Sequence, residues 1–217
     1  LLQARDGDTG QPLPAAEVRD QLGTLIAAGY ETTARLLFWV ALLLALDPEE
    51  QARVRAELTA APGPVATLAD LARWPRLRCV LQETLRLYPT APLMARHAVA
   101  DDPELSVCAG DQISISPWVI HRHETLWPEP AEFRPDRFES RPNAYLQGGA
   151  YLPFSMGPRI CIGASFAMAE ASIILSALLT RYQIALADGP PVLPVGAISI
   201  RPSREPDFIL TPLQIAA

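Results

Sequence analysis

The pattern of apolar positions in the first part of the chain is helical. Apolar residues recur at helical spacing from Ala15 to Leu46, which predicts one long helix that is buried along most of its length. Asp47 followed by Pro48 and two acids is a typical helix start, and this second helix fades near Ala60. A short capped turn is predicted at 67–70, and a further helix at 76–87 stops before Pro89.

The pattern changes after Pro92. Short strands are predicted at 96–100 and 112–116, where polar and apolar residues alternate in the second. Residues 117–160 are rich in proline, aromatic residues and arginine and show no period, which is typical of a long ordered coil with a function. A helix is predicted at 163–181, followed by strands at 182–186, 197–201 and 207–211. The fold class is therefore mostly α, of the α+β type.

The longest apolar run, Leu36 to Leu46, is shorter than the roughly 18 residues that a membrane span needs. We therefore interpret it as a buried helix segment and expect no membrane segment in this part. The chain opens with Leu1, without a signal peptide or an initiator methionine. We expect it to be a fragment whose amino-terminal portion lies outside the sequence.

Composition narrows the class of protein. The 217 residues are 49% hydrophobic with a net charge of −6, which excludes a disordered chain and argues against a nucleic-acid binder. All 18 basic residues are arginine, as in proteins from GC-rich genomes, and we expect a soluble, cytoplasmic bacterial protein. Three cysteines without a C-x-x-C pair indicate neither a disulfide framework nor a zinc ribbon. Cys79 and Cys108 are interpreted as small hydrophobic residues.

The segment from Phe154 to Gly163 has the pattern F-x-x-G-x-R-x-C-x-G. Its Cys161 precedes the predicted 163–181 helix, where the helix dipole and unpaired N–H groups favour a thiolate over a thiol. A thiolate can ligate a metal, and haem iron is the prominent case with a single cysteine. Gly157 allows a tight bend and Gly163 a close approach, as a flat macrocycle on the loop requires. Phe154 can shield the sulfur, and Arg159 can reach a carboxylate.

Three other motifs accompany this loop. They are A-G-Y-E-T-T at 28–33, E-T-L-R at 83–86 and F-R-P-D-R-F at 133–138. Taken in this order, the four motifs resemble those of the cytochrome P450 monooxygenases, and the resemblance covers nearly the whole chain. It implies that residues 1–217 are the carboxy-terminal part of a single catalytic domain of that fold. The implied cofactor is haem b, with O2 as co-substrate.

The resemblance also implies roles for individual residues. Cys161 would be the iron ligand, and the other haem contacts would come from Ala28, Arg96, Phe154, Gly157, Arg159, Ile162 and Gly163. Thr32 would bind the oxygen that is activated, and Glu31 would help to relay protons to it. From residue type alone, the Thr32 hydroxyl can bond the Ala28 carbonyl and open a pocket in the helix, whereas Thr33 is predicted to be a core residue.

Glu83, Arg86 and Arg137 would form a structural triad that fixes the coil under the haem. A buried carboxylate between two guanidinium groups avoids an unpaired charge. Arg96 is either a partner of a haem propionate or a surface arginine. His121 and His123 form an H-x-H that could bind a metal or lie packed or exposed, and His121 could also approach the haem edge.

The implied reaction is C–H hydroxylation of a small hydrophobic organic substrate. Electrons would come from a separate protein, a ferredoxin or a flavoprotein reductase, docked on the cysteine side against arginines. The alternatives are a peroxide-driven haem-thiolate enzyme, a cysteine-nucleophile hydrolase that uses Cys161, and a fragment inactive by itself. We expect the isolated chain to bind haem poorly, because half of such a fold would be missing.

Overall fold

The computed structural model describes residues 3–61, 63, 65, 67–140, 148–196 and 198–214. The helices are α1 (Ala15–Leu46), α2 (Pro48–Ala60), α3 (Pro75–Leu87), α4 (Pro117–Ile120), α5 (Asp136–Ser140) and α6 (Ala164–Leu179), with 3-10 turns at Leu68–Arg73 and Gly157–Arg159. The strands are β1 (Met94–His97), β2 (Gln112–Ile115), β3 (Tyr182–Leu186), β4 (Pro194–Gly196), β5 (Ile200–Pro202) and β6 (Phe208–Pro212).

The helix boundaries follow local signals. The Asp47 carboxylate accepts the backbone N–H of Glu50 at 2.9 Å, and Pro48 occupies the first position of α2. The turn at Leu68–Arg73 is closed by Thr67 and Asp70, since the Asp70 Oδ2 atom accepts the Thr67 N–H at 2.7 Å. The predicted bounds of α2 are thereby confirmed, whereas the turn predicted at 67–70 begins at Leu68 and continues to Arg73.

Three small antiparallel sheets pair β1 with β2, β3 with β6 and β4 with β5. The strand predicted at 96–100 lies earlier in the structure, where β1 begins at Met94 and ends at His97. His97, opposite Gln112, is the last β1 residue paired with β2, and the chain beyond it turns toward β2. The strand predicted at 197–201 begins only at Ile200, and Ala197 lies outside the described residues. Strand β4 was not predicted.

The predicted coil at 117–160 is not wholly irregular. It contains α4, α5 and the Gly157–Arg159 turn, and residues 141–147 lie outside the described part. Helix α4 is too short to show a period, and the Ser116 hydroxyl caps it by accepting the Val119 N–H at 3.3 Å. In the described part of the coil, Arg86 and Arg137 donate to backbone carbonyls between residues 121 and 132.

The core lies between the second half of α1 and helices α2, α3 and α6. Its largest buried side chains include Trp39 and Trp127. Burial of α1 along most of its length was wrong, because all of residues 19–31 are exposed, including Ile26 and Tyr30. Only the half that packs on the other described helices is covered.

Helix α1 is long and apolar enough to cross a membrane by length and composition, a criterion that core helices of soluble proteins also meet. Of its most apolar stretch, 39% is buried inside the protein. The buried positions, from Thr33 to Leu44, contact other elements of the fold. The prediction of a core helix therefore describes the second half of α1.

Candidate functional site

Cys161 lies on an exposed loop immediately before α6. Its backbone N–H donates to the Phe154 carbonyl at 2.8 Å, and its carbonyl accepts the Ala164 N–H at 3.3 Å, so both ends of the loop are fixed. Gly157 has φ +68°, a conformation that L-residues with a Cβ rarely adopt. The sulfur is presented at the surface by backbone hydrogen bonds on either side.

The surroundings of the sulfur fit a flat apolar group. Ile162 is 92% exposed and Phe166 71% exposed, and Met156 and Ile160 are also exposed. Several exposed apolar side chains close together in sequence are typical of a site for a ligand or partner. A Cβ at Gly163 would lie 3.8 Å from the Cys161 Sγ, so the glycine leaves one side of the sulfur open.

The donor set also fits a macrocycle that brings its own metal ligands. Among the residues that the structure describes, no three His, Cys, Asp or Glu side chains are grouped to hold a metal ion. A single cysteine sulfur on an apolar surface suits an iron whose other ligands are porphyrin nitrogens. The residues present therefore fit haem.

Arg96 is close to the cysteine loop. It lies on β1, and its Nη2 donates to the Ser155 hydroxyl at 3.2 Å while Nη1 donates to the Ala95 carbonyl at 2.9 Å. Arg159 is exposed on the 3-10 turn that precedes Cys161. The contact with Ser155, which sequence reasoning missed, brings one guanidinium group to the loop that carries the other.

Thr32 and Glu31 lie on α1. The Thr32 hydroxyl donates to the Ala28 carbonyl at 2.7 Å, as predicted from its residue type, and Thr33 is buried. Ala28 is exposed, so the surface beside it is open to a ligand. Neither side chain makes a hydrogen bond to the cysteine loop, and α1 and α6 are joined by packing further along their lengths.

Glu31 is held from a distant part of the chain. Its Oε1 accepts the hydroxyl of Ser199 at 2.7 Å and lies 3.5 Å from the Nη2 of Arg35. The Ser199 hydrogen bond is the main cause that lowers the pKa of Glu31, and the charges of Arg35 and Arg201 lower that pKa further. Sequence reasoning missed Ser199, and no local signal points to it.

Glu83, Arg86 and Arg137 lie together in the core. Glu83 accepts the Nε and Nη2 of Arg86 at 2.7 and 2.8 Å and the Nε of Arg137 at 3.2 Å. The remaining guanidinium N–H groups donate to coil carbonyls, those of His121, Pro130 and Glu132 for Arg86 and those of Pro128 and Glu129 for Arg137. The three side chains thus tie the coil to α3.

The two histidines of the H-x-H sequence point apart. His121 is fully buried, its Nε2 accepts the Leu152 N–H at 2.7 Å, and its Nδ1 lies 3.2 Å from the Arg86 carbonyl. Because a backbone N–H can only donate, the ring is neutral with its proton on Nδ1. His123 is 2.8 Å from the Thr125 hydroxyl. One ring nitrogen of His121 therefore contacts α3 and the other the coil, and the suggested approach of His121 to a haem edge stays a prediction.

Cys79 is buried, as predicted, whereas Cys108 is exposed, because its turn is built by polar hydrogen bonds such as that from the Cys108 N–H to Asp111. A cavity of about 640 Å³ beside Arg55 and Arg181 is lined by none of the predicted site residues. A second cavity, of about 430 Å³, borders Phe154 and the first turn of α6 and includes Arg78. It adjoins the cysteine loop.

Comparison with known proteins adds the following. The protein-family model Cytochrome P450 matches residues 1–205. The chain is 38% identical to cytochrome P450 4V2 of Homo sapiens over 85% of its own length and 36% of that protein. It is 37% identical to an Arabidopsis thaliana cytokinin hydroxylase, over 90% of this chain and 38% of the relative. It is 35% identical to cyclooctatin synthase of Streptomyces melanosporofaciens, over 99% and 46%.

Solved structures agree with these matches. A cytochrome P450 (CYP102L1) crystal structure superposes with a TM-score of 0.87 at 31% identity, covering 97% of this chain and 49% of that one. The cytochrome P450DA heme domain gives 0.88 at 30% identity, covering 98% and 48%. The chain spans less than half the length of the relatives that it matches.

Proposed function

This chain belongs to the cytochrome P450 family, and on that premise we propose that it carries the haem-thiolate end of a monooxygenase. The reaction would insert one oxygen atom of O2 into a C–H bond of a small hydrophobic organic substrate. The observation that carries this proposal is the exposed Cys161 thiol, held by backbone hydrogen bonds in an apolar surface before α6. We further propose that residues 1–217 are the carboxy-terminal part of one catalytic domain, and the coverage of less than half of each relative supports a partial domain.

Haem b would supply the redox chemistry, with electron donation from the thiolate favouring O–O cleavage. Cys161 binds the iron, and Gly157 and Gly163 let the loop bend and leave space beside the sulfur. Ile162 and Phe154 supply apolar contact on the loop, and Ala28 offers a small exposed surface on α1.

Arg96 and Arg159 would hold the carboxylates of the cofactor. Guanidinium groups suit carboxylates because two N–H donors match two oxygens. The hydrogen bond from Arg96 to Ser155 supports this role, since it sets the guanidinium group at the edge of the cysteine loop. In the alternative, a surface arginine, the hydrogen bond to Ser155 would have only a structural role.

Thr32 and Glu31 would hold and pass protons. Thr32 carries a hydroxyl that is already oriented by the Ala28 carbonyl. Glu31 is a half-exposed carboxylate that can exchange protons with solvent. The acid–alcohol pair favours use of O2 over use of peroxide, because peroxide already contains the protons that O2 activation requires. The triad of Glu83, Arg86 and Arg137 would hold the coil beneath the cofactor.

The electron donor would be a separate ferredoxin or flavoprotein reductase. We place its docking face on the cysteine side, where Arg78 and Arg159 are exposed and a cavity borders Phe154. Positive charge there would attract an acidic partner. A cytoplasmic location is proposed with it, and the packing of the second half of α1 into the core supports only that α1 is a core helix.

The test compares Cys161→Ala with Cys108→Ala in the complete, haem-loaded enzyme, because the isolated chain is expected to bind haem poorly. Both cysteines are exposed, so the pair separates ligation from general loss of a thiol. The thiolate-type Soret shift on adding CO to the reduced protein should disappear only in Cys161→Ala. Retention of that shift in Cys161→Ala would refute the proposal. Turnover with peroxide but not with O2 and a reductant would instead establish the peroxide-driven alternative.

A further inference from the structure

The turn between β4 and β5 reaches α1 at the proposed proton-relay residue. The Ser199 hydroxyl donates to Glu31 Oε1 at 2.7 Å across 168 positions of sequence. Ser199 is 7% exposed, whereas the Glu31 side chain is 53% exposed. A buried hydroxyl therefore holds one oxygen of a carboxylate that otherwise faces solvent.

The position of Ser199 is fixed by its neighbour Ile200. The Ile200 side chain is buried, its carbonyl accepts the Trp39 Nε1–H at 3.1 Å, and its N–H donates to the Thr90 carbonyl at 3.3 Å. Trp39 lies on α1 about two turns beyond Glu31. The Trp39 hydrogen bond thus ties the backbone next to Ser199 to the helix that carries Glu31.

The hydrogen bonds and the ion pair that the Glu31 carboxylate makes with described residues all involve Oε1. Ser199 makes the short one, and the Nε and Nη2 atoms of Arg35 lie at 3.5 Å from the same oxygen. Arg201 on β5 adds a second positive charge at longer range. Oε2 is left as the oxygen that can exchange a proton with water.

We infer that Ser199 is a positioning residue, which holds Glu31 by Oε1 so that protons are exchanged at Oε2. The inference rests on the proposed function, since it assumes that Glu31 relays protons. A proton taken from solvent at Oε2 leaves from the same oxygen toward the Thr32 side, so the carboxylate is restored after each transfer.

A purely structural Ser199 would satisfy its own buried hydroxyl and nothing more. Titration of Glu31 shows only that the hydrogen bond exists, because any hydroxyl bonded to the carboxylate lowers its pKa. The product formed per electron pair separates the two roles, since only loss of an anchor lowers it. Ser199→Ala removes the donor, and Ser199→Thr keeps the hydroxyl. Ser203→Ala is the matched control, because the Ser203 hydroxyl accepts the Leu193 N–H at 3.0 Å and makes no contact with Glu31.

The measurement is an infrared pH titration of the carboxylic-acid C=O band of Glu31 in the CO-bound, reduced haem protein. The band is assigned by its loss in Glu31→Gln. We expect Ser199→Ala to raise the pKa of Glu31, and Ser199→Thr and Ser203→Ala to leave it unchanged. An unmoved titration in Ser199→Ala would overturn the inference. If that variant does not load haem, Ser199→Cys, whose thiol is a weak donor of similar size, should raise the same pKa, and an unmoved value there counts equally against it.

A second measurement is product formed per electron pair consumed. Ser199→Ala should lower it by about tenfold, less than the usual loss of a proton-transfer group because water can partly replace the anchor, and Ser203→Ala should not. Unchanged coupling in Glu31→Gln would refute the relay and with it the role of Ser199. Failure of the haem-thiolate proposal itself is read separately, from the CO spectrum of Cys161→Ala.

Discussion

Neutralising Glu83 should destabilise the protein more than neutralising any exposed carboxylate of the chain. Glu83 is fully buried, and its oxygens accept both Arg86 N–H groups, the Nε of Arg137 at 3.2 Å and the Arg134 backbone N–H at 2.9 Å. In Glu83→Gln the amide keeps the shape but loses the charge, so two buried guanidinium groups remain without a counter-ion.

The magnitude follows from burial. Removing one partner of a buried ion pair costs about 3–5 kcal/mol, because the other charge is left uncompensated away from water. Arg86 cannot turn to solvent, since it is itself fully buried and donates to carbonyls of the coil. For a protein of this size, each kcal/mol corresponds to about 2–4 °C in Tm.

Asp20→Asn is the matched control. Asp20 pairs with the Nε of Arg19 at 3.2 Å, the same distance as the Glu83–Arg137 pair, but these two side chains are 76% and 72% exposed. An exposed pair of this kind is worth about 0–1 kcal/mol. The assay is urea unfolding of the haem-loaded variants followed by circular dichroism. A loss for Glu83→Gln no larger than that for Asp20→Asn would show that burial of the triad does not govern its energy.

Three further predictions concern the stability of the fold at other positions. Burial lowers the pKa of His121 to about 4, whereas the unfolded chain protonates this residue below about 6.5. The free energy of unfolding should therefore fall by about 3 kcal/mol as the pH drops from about 6.5 to about 4. His121→Gln, which can still accept the Leu152 N–H, should lose this dependence in unfolding curves recorded across that range. Gly157→Ala should cost about 1–2 kcal/mol in the same unfolding assay, because the φ of Gly157 is +68°. Gly163→Ala, at φ −88°, should leave stability nearly unchanged. Equal losses in the two variants would contradict the argument from φ. Asp47→Ala should cost about 1 kcal/mol through loss of the α2 cap, read as lower helical circular dichroism and Tm, and an unchanged Tm would show the cap to be idle.

Much of the local structure of the chain can be predicted from neighbouring residues in the sequence. The bounds of α1 and α2 follow from proline punctuation and from the Asp47 cap, because capping and helical periodicity act over a few residues. The Thr32 hydroxyl donates to the Ala28 carbonyl one helical turn earlier, so this hydrogen bond follows from the four-residue spacing. The loop at Cys161 is likewise set by glycines at fixed intervals.

Tertiary structure decided the features whose partners lie far away in sequence. The Ser199–Glu31 hydrogen bond spans 168 positions, and no periodicity or cap encodes it. His121 is an acceptor inside the coil only because the Leu152 N–H meets it there. The sequence by itself determined the four longer helices, most of their ends and the family motifs, since these depend on neighbouring residues, whereas the short helices α4 and α5 were not predicted. Burial, register and carboxylate partners depend on which surfaces meet in space, and only the folded chain defines those.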